Sequence, residues 1–193
     1  MTETPAIAAN QVRQQAAAIF LALAMAATVG MALAFEHIGG YIPCKLCLEQ
    51  RWPYYAGVPL MALAAFSAAW RWPPALARGL LALGGLLMAY GLYLGVRHAG
   101  VEWGWWTGPT DCGAVSATAT GGGGVLDAID AFVPPSCDKA ALRVLGLSFA
   151  GWNAVASLIL MAVAFWAAFA RPAPGSRTYG SSSTSQYLSL IHI

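Results

Sequence analysis

Two cysteines separated by two residues, Cys44 and Cys47, carry the clearest chemistry in the sequence. Sulfurs at this spacing close a small disulfide ring, and the arrangement tends to lower the pKa of one of the two thiols. The thiolate is the species that attacks a disulfide, and the nearby cations Lys45 and Arg51 increase the fraction present as thiolate. The spacing therefore predicts a redox-active dithiol.

The remaining two cysteines, Cys112 and Cys137, follow turn-like stretches, Gly-Pro-Thr-Asp and Pro-Pro-Ser. One interpretation is a disulfide that only staples a long loop and stabilises it by about 3 kcal/mol. The other is an exposed disulfide that exchanges with a partner, and exposure favours this one. Four cysteines could also bind zinc, but a second closely spaced pair is missing, so we expect no metal site.

Four long stretches of the chain contain no charged residue, and each is long enough to cross a bilayer as a helix of about 20 residues. Only 9% of the residues are charged, against roughly 25% in soluble domains. The stretches lack the polar stripe of a soluble bundle, and no basic patch suggests nucleic-acid binding. We predict an all-α fold, an integral membrane four-helix bundle in residues 1–171, with spans at about 16–35, 52–70, 79–96 and 144–170.

The charges near the span ends indicate the orientation. Five arginines lie beside the first span, in the second loop and after the last span, and they favour the cytoplasmic side there: Arg13, Arg71, Arg78, Arg171 and Arg177. The first and third loops carry five basic residues as well, so the charge rule does not fix the orientation alone: Lys45, Arg51, Arg97, Lys139 and Arg143. All four cysteines fall in the first and third loops, which share a side, and paired cysteines suit an oxidising compartment. We therefore expect both termini in the cytoplasm and the cysteine loops in the periplasm of a bacterium, with the chain in the inner membrane.

Two further residues could act beside the first cysteine pair. Arg51 begins the second span four residues after Cys47, where ordinary snorkelling to the interface is the simpler explanation of its position. His98 follows Arg97 at the outer end of the third span. An imidazole or guanidinium at this level could donate a hydrogen bond to a quinone carbonyl. His37 has no second metal ligand at a useful spacing and is interpreted as a loop histidine.

The ends of the chain are expected to lie outside the functional unit. The first span is longer than the apolar core of a signal peptide, so we expect the mature protein to retain it. Residues 172–193 are rich in Pro, Gly and Ser and predict a disordered tail. Residues 188–193 resemble a translated sequencing adapter, and we expect them not to belong to the natural protein.

The residues around the first pair resemble a known family. Pro43, Cys44, Leu46, Cys47 and Arg51 match the P-C-x-L-C-x-x-x-R pattern of DsbB-type disulfide-forming membrane proteins. The likeness is strongest to the alphaproteobacterial type and extends over about residues 20–169, through the segments 48–55, 97–103 and 145–153. The resemblance implies a four-helix bundle that oxidises thiols and passes the electrons to a membrane quinone, ubiquinone or menaquinone.

The resemblance also assigns roles to the site residues. It makes Cys44 and Cys47 the quinone-proximal pair, and Cys112 and Cys137 the pair that meets a DsbA-like periplasmic thioredoxin-fold protein. It makes Arg51 a quinone-binding residue and His98 its neighbour. The partner would attack the disulfide of Cys112 and Cys137, the outer pair, at Cys112. Reoxidation of the outer pair by Cys44 and Cys47, the inner pair, would free a thiolate at Cys47. The Gly121–Gly124 run is a departure from the family pattern.

Two alternative functions remain open from the residues alone. A vitamin-K-epoxide-reductase-like or other membrane thiol oxidoreductase would use cysteine pairs with a different helix placement. A structural or transport protein with stapled loops would show charged or broken helices at mid-membrane. None of the four predicted spans contains a charge, which favours the oxidase.

Overall fold

The computed structural model describes residues 5–109 and 137–170. Within them the chain forms four long helices, one short helix and a two-stranded hairpin. In chain order these are α1 (Pro5–His37), α2 (Lys45–Glu49), α3 (Trp52–Ala69), α4 (Pro74–Glu102), β1 (Arg143–Val144), β2 (Leu147–Ser148) and α5 (Phe149–Phe169). The strands are antiparallel and pair Arg143 with Ser148 and Val144 with Leu147.

The four long helices form a closed bundle. Helix α4 packs along α3 and α5, and α1 packs along the same two helices from the other side. Fully buried apolar side chains from three of the helices meet at the centre: Leu21, Met25, Met61, Leu81 and Met88. Many outward-facing side chains are also apolar, among them Leu23, Leu86, Ile159 and Trp166. An apolar exterior around an apolar core is what a lipid environment requires.

Among the described residues, three of the helices are long and apolar enough to cross a membrane: α1 from Ala9, α4 and α5. Helix α3 lacks the same hydropathy because it contains Pro53, Pro59 and two tyrosines. It nevertheless packs between α1 and α4 over its length. The predicted all-α membrane bundle is therefore confirmed.

The helix ends differ from the charge-free stretches. Helix α4 begins at Pro74 and continues to Glu102, well beyond the predicted 79–96, because Arg78 and Arg97 lie within its terminal turns and do not end it. The last helix begins at Phe149 and not at residue 144. Gly146 has a φ of 83° and turns the hairpin, and the Ser148 hydroxyl then accepts a hydrogen bond from the Gly151 amide at 3.2 Å. Turn and cap together set this start. His37, expected in a loop, is the last residue of α1.

Glycines of α4 allow close contact with α5. A Cβ atom added at Gly95 would lie 2.9 Å from the backbone nitrogen of Ala154 on α5. A Cβ at Gly91 would lie 3.1 Å from the Ser157 hydroxyl. Small residues that let two backbones approach are the usual means of packing helices in lipid.

Replacing Gly95 with Ala is therefore expected to destabilise the bundle by about 1–3 kcal/mol, because the obstructing atoms belong to backbone and cannot rotate away. The measurement is the thermal unfolding midpoint in detergent, which should fall by several degrees. Gly79→Ala is the matched control on the same helix, since a Cβ there meets nothing within 4 Å. It should leave the midpoint unchanged or raise it slightly. Equal midpoints for the two variants would contradict the close-contact explanation.

Candidate functional site

The two cysteines of the first loop lie together at the short helix α2. Cys44 is the residue before the helix, and its sulfur accepts a hydrogen bond from the Cys47 amide at 3.4 Å. The two Sγ atoms are 3.0 Å apart, and both cysteines are free thiols. Cys44 is buried, whereas Cys47 is partly exposed. The predicted dithiol is thus assembled by one turn of helix.

Helix α4 brings His98 to the same place. Its ring is buried, and its Nε2 atom lies 3.7 Å from Cys44 Sγ. The pKa of Cys44 is lowered to about 4, mainly by the hydrogen bond from the Cys47 thiol. Burial opposes this shift, and the nearby His98 adds a smaller lowering effect. The reduced pair therefore carries its negative charge on Cys44.

Cys47 behaves in the opposite way. Its hydrogen bond to Cys44, its burial and the negative charge of Cys44 all raise the pKa of the Cys47 thiol above its usual value. The resemblance placed the freed thiolate on Cys47. That assignment concerns a state in which Cys44 is bonded to another sulfur, and in that state Cys44 carries no charge to oppose ionisation of Cys47. In the reduced pair, Cys44 is the thiolate.

Arg51 occupies the residue before α3 and points into the protein. Its guanidinium forms an ion pair with Glu36 at the end of α1, and its side chain is only 11% exposed. A snorkelling arginine would extend to the membrane surface and be well exposed. The burial and the ion pair therefore favour a role inside the bundle.

A cavity of about 510 Å³ lies between α1, α3 and α5, next to the inner thiols. Its polar end is lined by Cys47, Gln50, Arg51, His98 and Asn153. Its walls are apolar and come largely from the first and last helices, among them Val29, Ala32, Phe35, Phe149, Trp152 and Ala156. The cavity suits an amphipathic molecule with a small polar head and an apolar body.

Comparison with known proteins places the chain in a family of disulfide-forming proteins, as the paired thiols of the site suggest. A family model described as disulfide bond formation protein DsbB matches residues 14–167. The chain belongs to the DsbB family. Disulfide bond formation protein B of Alkalilimnicola ehrlichii is 30% identical over 183 aligned positions, which cover 83% of this chain and 96% of that relative. No solved structure matches the chain. The resemblance stated from the sequence is confirmed, and the protein is a disulfide-forming membrane protein of the DsbB family.

The outer cysteines are only partly described in this DsbB-family chain. Cys137 is disulfide-bonded and buried, so the exposed setting expected for it from the sequence is wrong. It belongs to the same buried cluster as Cys44, Leu46 and Val101, and Cys47 packs against this cluster. Cys112 and the Gly121–Gly124 run lie outside the described residues, as does the tail predicted for residues 172–193.

Four polar residues at the site had no role in the sequence-based prediction. Glu36 pairs with Arg51. Gln50 Nε2 lies 2.6 Å from His98 Nδ1, and Asn153 Nδ2 donates to Gln50 Oε1 at 2.6 Å. The Glu102 carboxylate is 5% exposed and lies 3.8 Å from His98 Nε2. Of these, only Glu102 gave a signal in the sequence, because it follows His98 by four residues and so shares its helix face.

The donor atoms of Cys44, Cys47 and His98 lie within 4.8 Å of one another. Two thiolates and one imidazole are ligand types that zinc accepts. Zinc prefers four ligands in structural sites, and no fourth donor joins this group among residues 5–109 and 137–170. The prediction of no metal site remains a prediction.

Proposed function

We propose that this protein is a membrane thiol oxidase that reoxidises a DsbA-like periplasmic dithiol protein and passes the electrons to a membrane quinone. The observation that carries the proposal is the position of Cys47, which lines the cavity while its neighbour Cys44 faces the cluster that contains Cys137. The inner pair thus lies between an outer cysteine and an apolar cavity. This order supports a transfer of electrons from the outer disulfide, through the inner pair, to a molecule in the cavity.

The cavity residues fit a quinone. The Arg51 guanidinium at the polar end of the cavity offers donors for a carbonyl oxygen, and the cavity walls fit an isoprenoid-like apolar tail. A bound quinone would supply an acceptor for two electrons and two protons.

The two cysteine pairs act one after the other. Thiolate attack by the partner on the proposed Cys112–Cys137 disulfide gives the partner's disulfide and a reduced outer pair. The outer pair then reduces the Cys44–Cys47 disulfide, and two electrons and two protons leave through the inner pair. Soluble partners of this kind are strong oxidants, with a reduction potential of about −120 mV. The final acceptor must be more oxidising than that, which a thiol relay alone does not provide.

Anaerobic mixing of the purified protein, a short-chain quinone and a reduced thioredoxin-like dithiol protein tests the proposal. The expected result is loss of quinone absorbance in step with disappearance of the partner's thiols, two per quinone. Oxidation of the partner without quinone consumption, or no reaction at all, would contradict the proposed activity. Loop-stapling cysteines in a structural protein would give the second of these results.

The proposed topology places both termini in the cytoplasm and all four cysteines in the periplasm. Membrane-impermeant maleimide applied to intact cells is expected to label a cysteine introduced at Ile38, which is 87% exposed beside the first cysteine loop. A cysteine introduced at Arg78, in the predicted cytoplasmic loop, should be labelled only after the membrane is opened. Reversed accessibility of the two positions would show that the orientation is wrong.

A further inference from the structure

A chain of buried hydrogen bonds leads from the last helix to the inner thiols. On α5, the Asn153 amide donates to Gln50 Oε1 at 2.6 Å. Gln50 Nε2 lies 2.6 Å from His98 Nδ1. His98 Nε2 lies 3.7 Å from Cys44 Sγ. None of these amides takes part in the proposed electron transfer, so their role must be sought in what they do to His98.

The direction of each hydrogen bond follows from acceptors that cannot donate. The Gln50 atom that faces His98 is also 3.3 Å from the backbone carbonyl of Leu46. A carbonyl oxygen only accepts, so this atom is the amide nitrogen and it donates to His98 Nδ1 as well. The other end of the Gln50 amide is then the oxygen, which agrees with donation from Asn153.

The contact of Asn153 with helix α3 is compatible with this orientation. The Tyr54 hydroxyl donates to Asn153 Oδ1 at 2.7 Å and lies 3.0 Å from the Ser157 hydroxyl. Because the Gln50 oxygen faces Asn153, Asn153 presents its nitrogen to Gln50, and its oxygen accepts from Tyr54. One orientation of the Gln50 and Asn153 amides therefore satisfies all of these hydrogen bonds.

This arrangement determines the proton position on His98. A nitrogen that accepts a hydrogen bond carries no proton, so Nδ1 is the bare nitrogen of the neutral ring and Nε2 carries the hydrogen. That N–H faces Cys44 Sγ, with the Glu102 carboxylate 3.8 Å from the same nitrogen. The opposite tautomer would turn a lone pair toward the sulfur and oppose a thiolate there.

We propose that Gln50 and Asn153 are positioning residues that hold His98 in the tautomer whose Nε2–H faces Cys44, and thereby stabilise the Cys44 thiolate of the reduced inner pair. The proposal rests on the proposed role of Cys44 and Cys47 as the inner redox pair. Within the part of the chain that the structure describes, the charged and titratable groups that face Cys44 are Cys47 on α2 and His98 on α4, with Glu102 beyond the imidazole. His98 lowers the pKa of Cys44, although less than Cys47 does.

The consequence is a more oxidising inner disulfide. Stabilising a thiolate stabilises the reduced form of the pair, and a disulfide whose reduced form is stabilised is easier to reduce. Gln50 and Asn153 would thus help the inner pair to draw electrons from the outer one without touching either substrate.

The test is a titration of the inner thiols in the reduced full-length protein, followed by thiolate absorbance near 240 nm in a Cys112→Ala, Cys137→Ala background. Gln50→Met keeps the side-chain length and removes the donor. It should raise the midpoint of the lower transition by about one pH unit, the effect of one ordinary hydrogen bond. Asn153→Leu should shift the midpoint in the same direction by less, because it acts through Gln50.

Gln14→Met is the matched control. Gln14 is also buried, its amide has no hydrogen-bond partner among the described residues, and it lies on α1 beside Arg13, which donates to Ala170 at the far end of α5. Its replacement should leave the midpoint unchanged. An unchanged midpoint in Gln50→Met, or an equal shift in Gln14→Met, would overturn the proposal.

A double-mutant comparison separates positioning from general disturbance. His98→Phe should itself raise the midpoint, and in that background Gln50→Met should add no further shift. An undiminished shift in the double variant would show that Gln50 does not act through His98. Nitrogen-15 spectra of histidine-labelled protein give a second readout, in which the wild-type His98 should show Nε2 protonated and Nδ1 bare. The assays contain neither quinone nor partner. A negative result here therefore leaves the proposed oxidase activity untouched, and a protein without oxidase activity could still show the expected titration shifts.

Discussion

Replacing Cys47 with Ser is expected to abolish quinone reduction, whether the electrons come from the protein partner or from a small dithiol. Cys47 is the inner cysteine that lines the cavity, and without it Cys44 cannot form the inner disulfide. Replacing both Cys112 and Cys137 with Ala should abolish only the reaction with the protein partner. A small dithiol should still reduce the inner disulfide directly and support slow quinone reduction, which is measured by the fall in quinone absorbance.

The double replacement of the outer pair is preferable to Cys137→Ala alone, which would leave Cys112 as a stray thiol able to attack the inner disulfide. The single variant Cys137→Ala should nevertheless retain the dithiol-driven reaction. If loss of either pair removed the dithiol-driven reaction completely and equally, the division of labour between the pairs would be wrong. Thermal unfolding of each variant establishes that the inactive protein is folded.

The residues that carry the thiol chemistry were predictable because their signals are local. The spacing of Cys44 and Cys47 is a property of four neighbouring residues, and the structure shows the pair on a single turn of helix. The helices themselves were predictable from stretches without charge, since no charged residue is needed on a face that meets lipid or core. Their ends were less predictable, because Ser148 and Gly146 set the start of α5 through turn geometry that hydropathy does not register.

The polar partners at the site could not be predicted from the sequence. Gln50 contacts His98 and Asn153, which lie 48 and 103 positions further along the chain. Arg51 pairs with Glu36 on another helix. Which polar residues meet depends on the rotation of each helix about its axis, and an almost uniformly apolar helix gives little indication of that rotation. Glycines of α4 help to set this rotation, because they determine which faces of α4 and α5 are in contact.

Arg51→Ala is expected to lower kcat/KM for quinone by one to two orders of magnitude. A charge-assisted hydrogen bond is worth about 1.5–3 kcal/mol, and if it strengthens as negative charge develops on the acceptor, both kcat and KM change. Uniform binding would change KM alone. Steady-state quinone titrations, normalised to folded protein, measure the two constants separately.

The ion pair with Glu36 adds a second consequence of losing Arg51. Without the guanidinium, the Glu36 carboxylate remains at the wall of the cavity, 26% exposed and without its partner. Part of any loss in Arg51→Ala could therefore come from an uncompensated negative charge that opposes reduction of the bound acceptor. The variant Arg51→Ala, Glu36→Gln removes that charge, and it should regain only the part of kcat/KM that the carboxylate suppresses.

Arg51→Lys completes the comparison, because it keeps the charge and loses the planar array of donors. It should recover part of the activity: the positive charge still balances Glu36, but fewer hydrogen bonds reach the acceptor. Snorkelling predicts a different pattern, with lower expression or stability and near-normal kinetics in the protein that folds. An unchanged kcat/KM in Arg51→Ala would show that Arg51 does not bind the quinone. Full recovery in the double variant would show that its task is to neutralise Glu36, a role that its ion pair makes the strongest alternative.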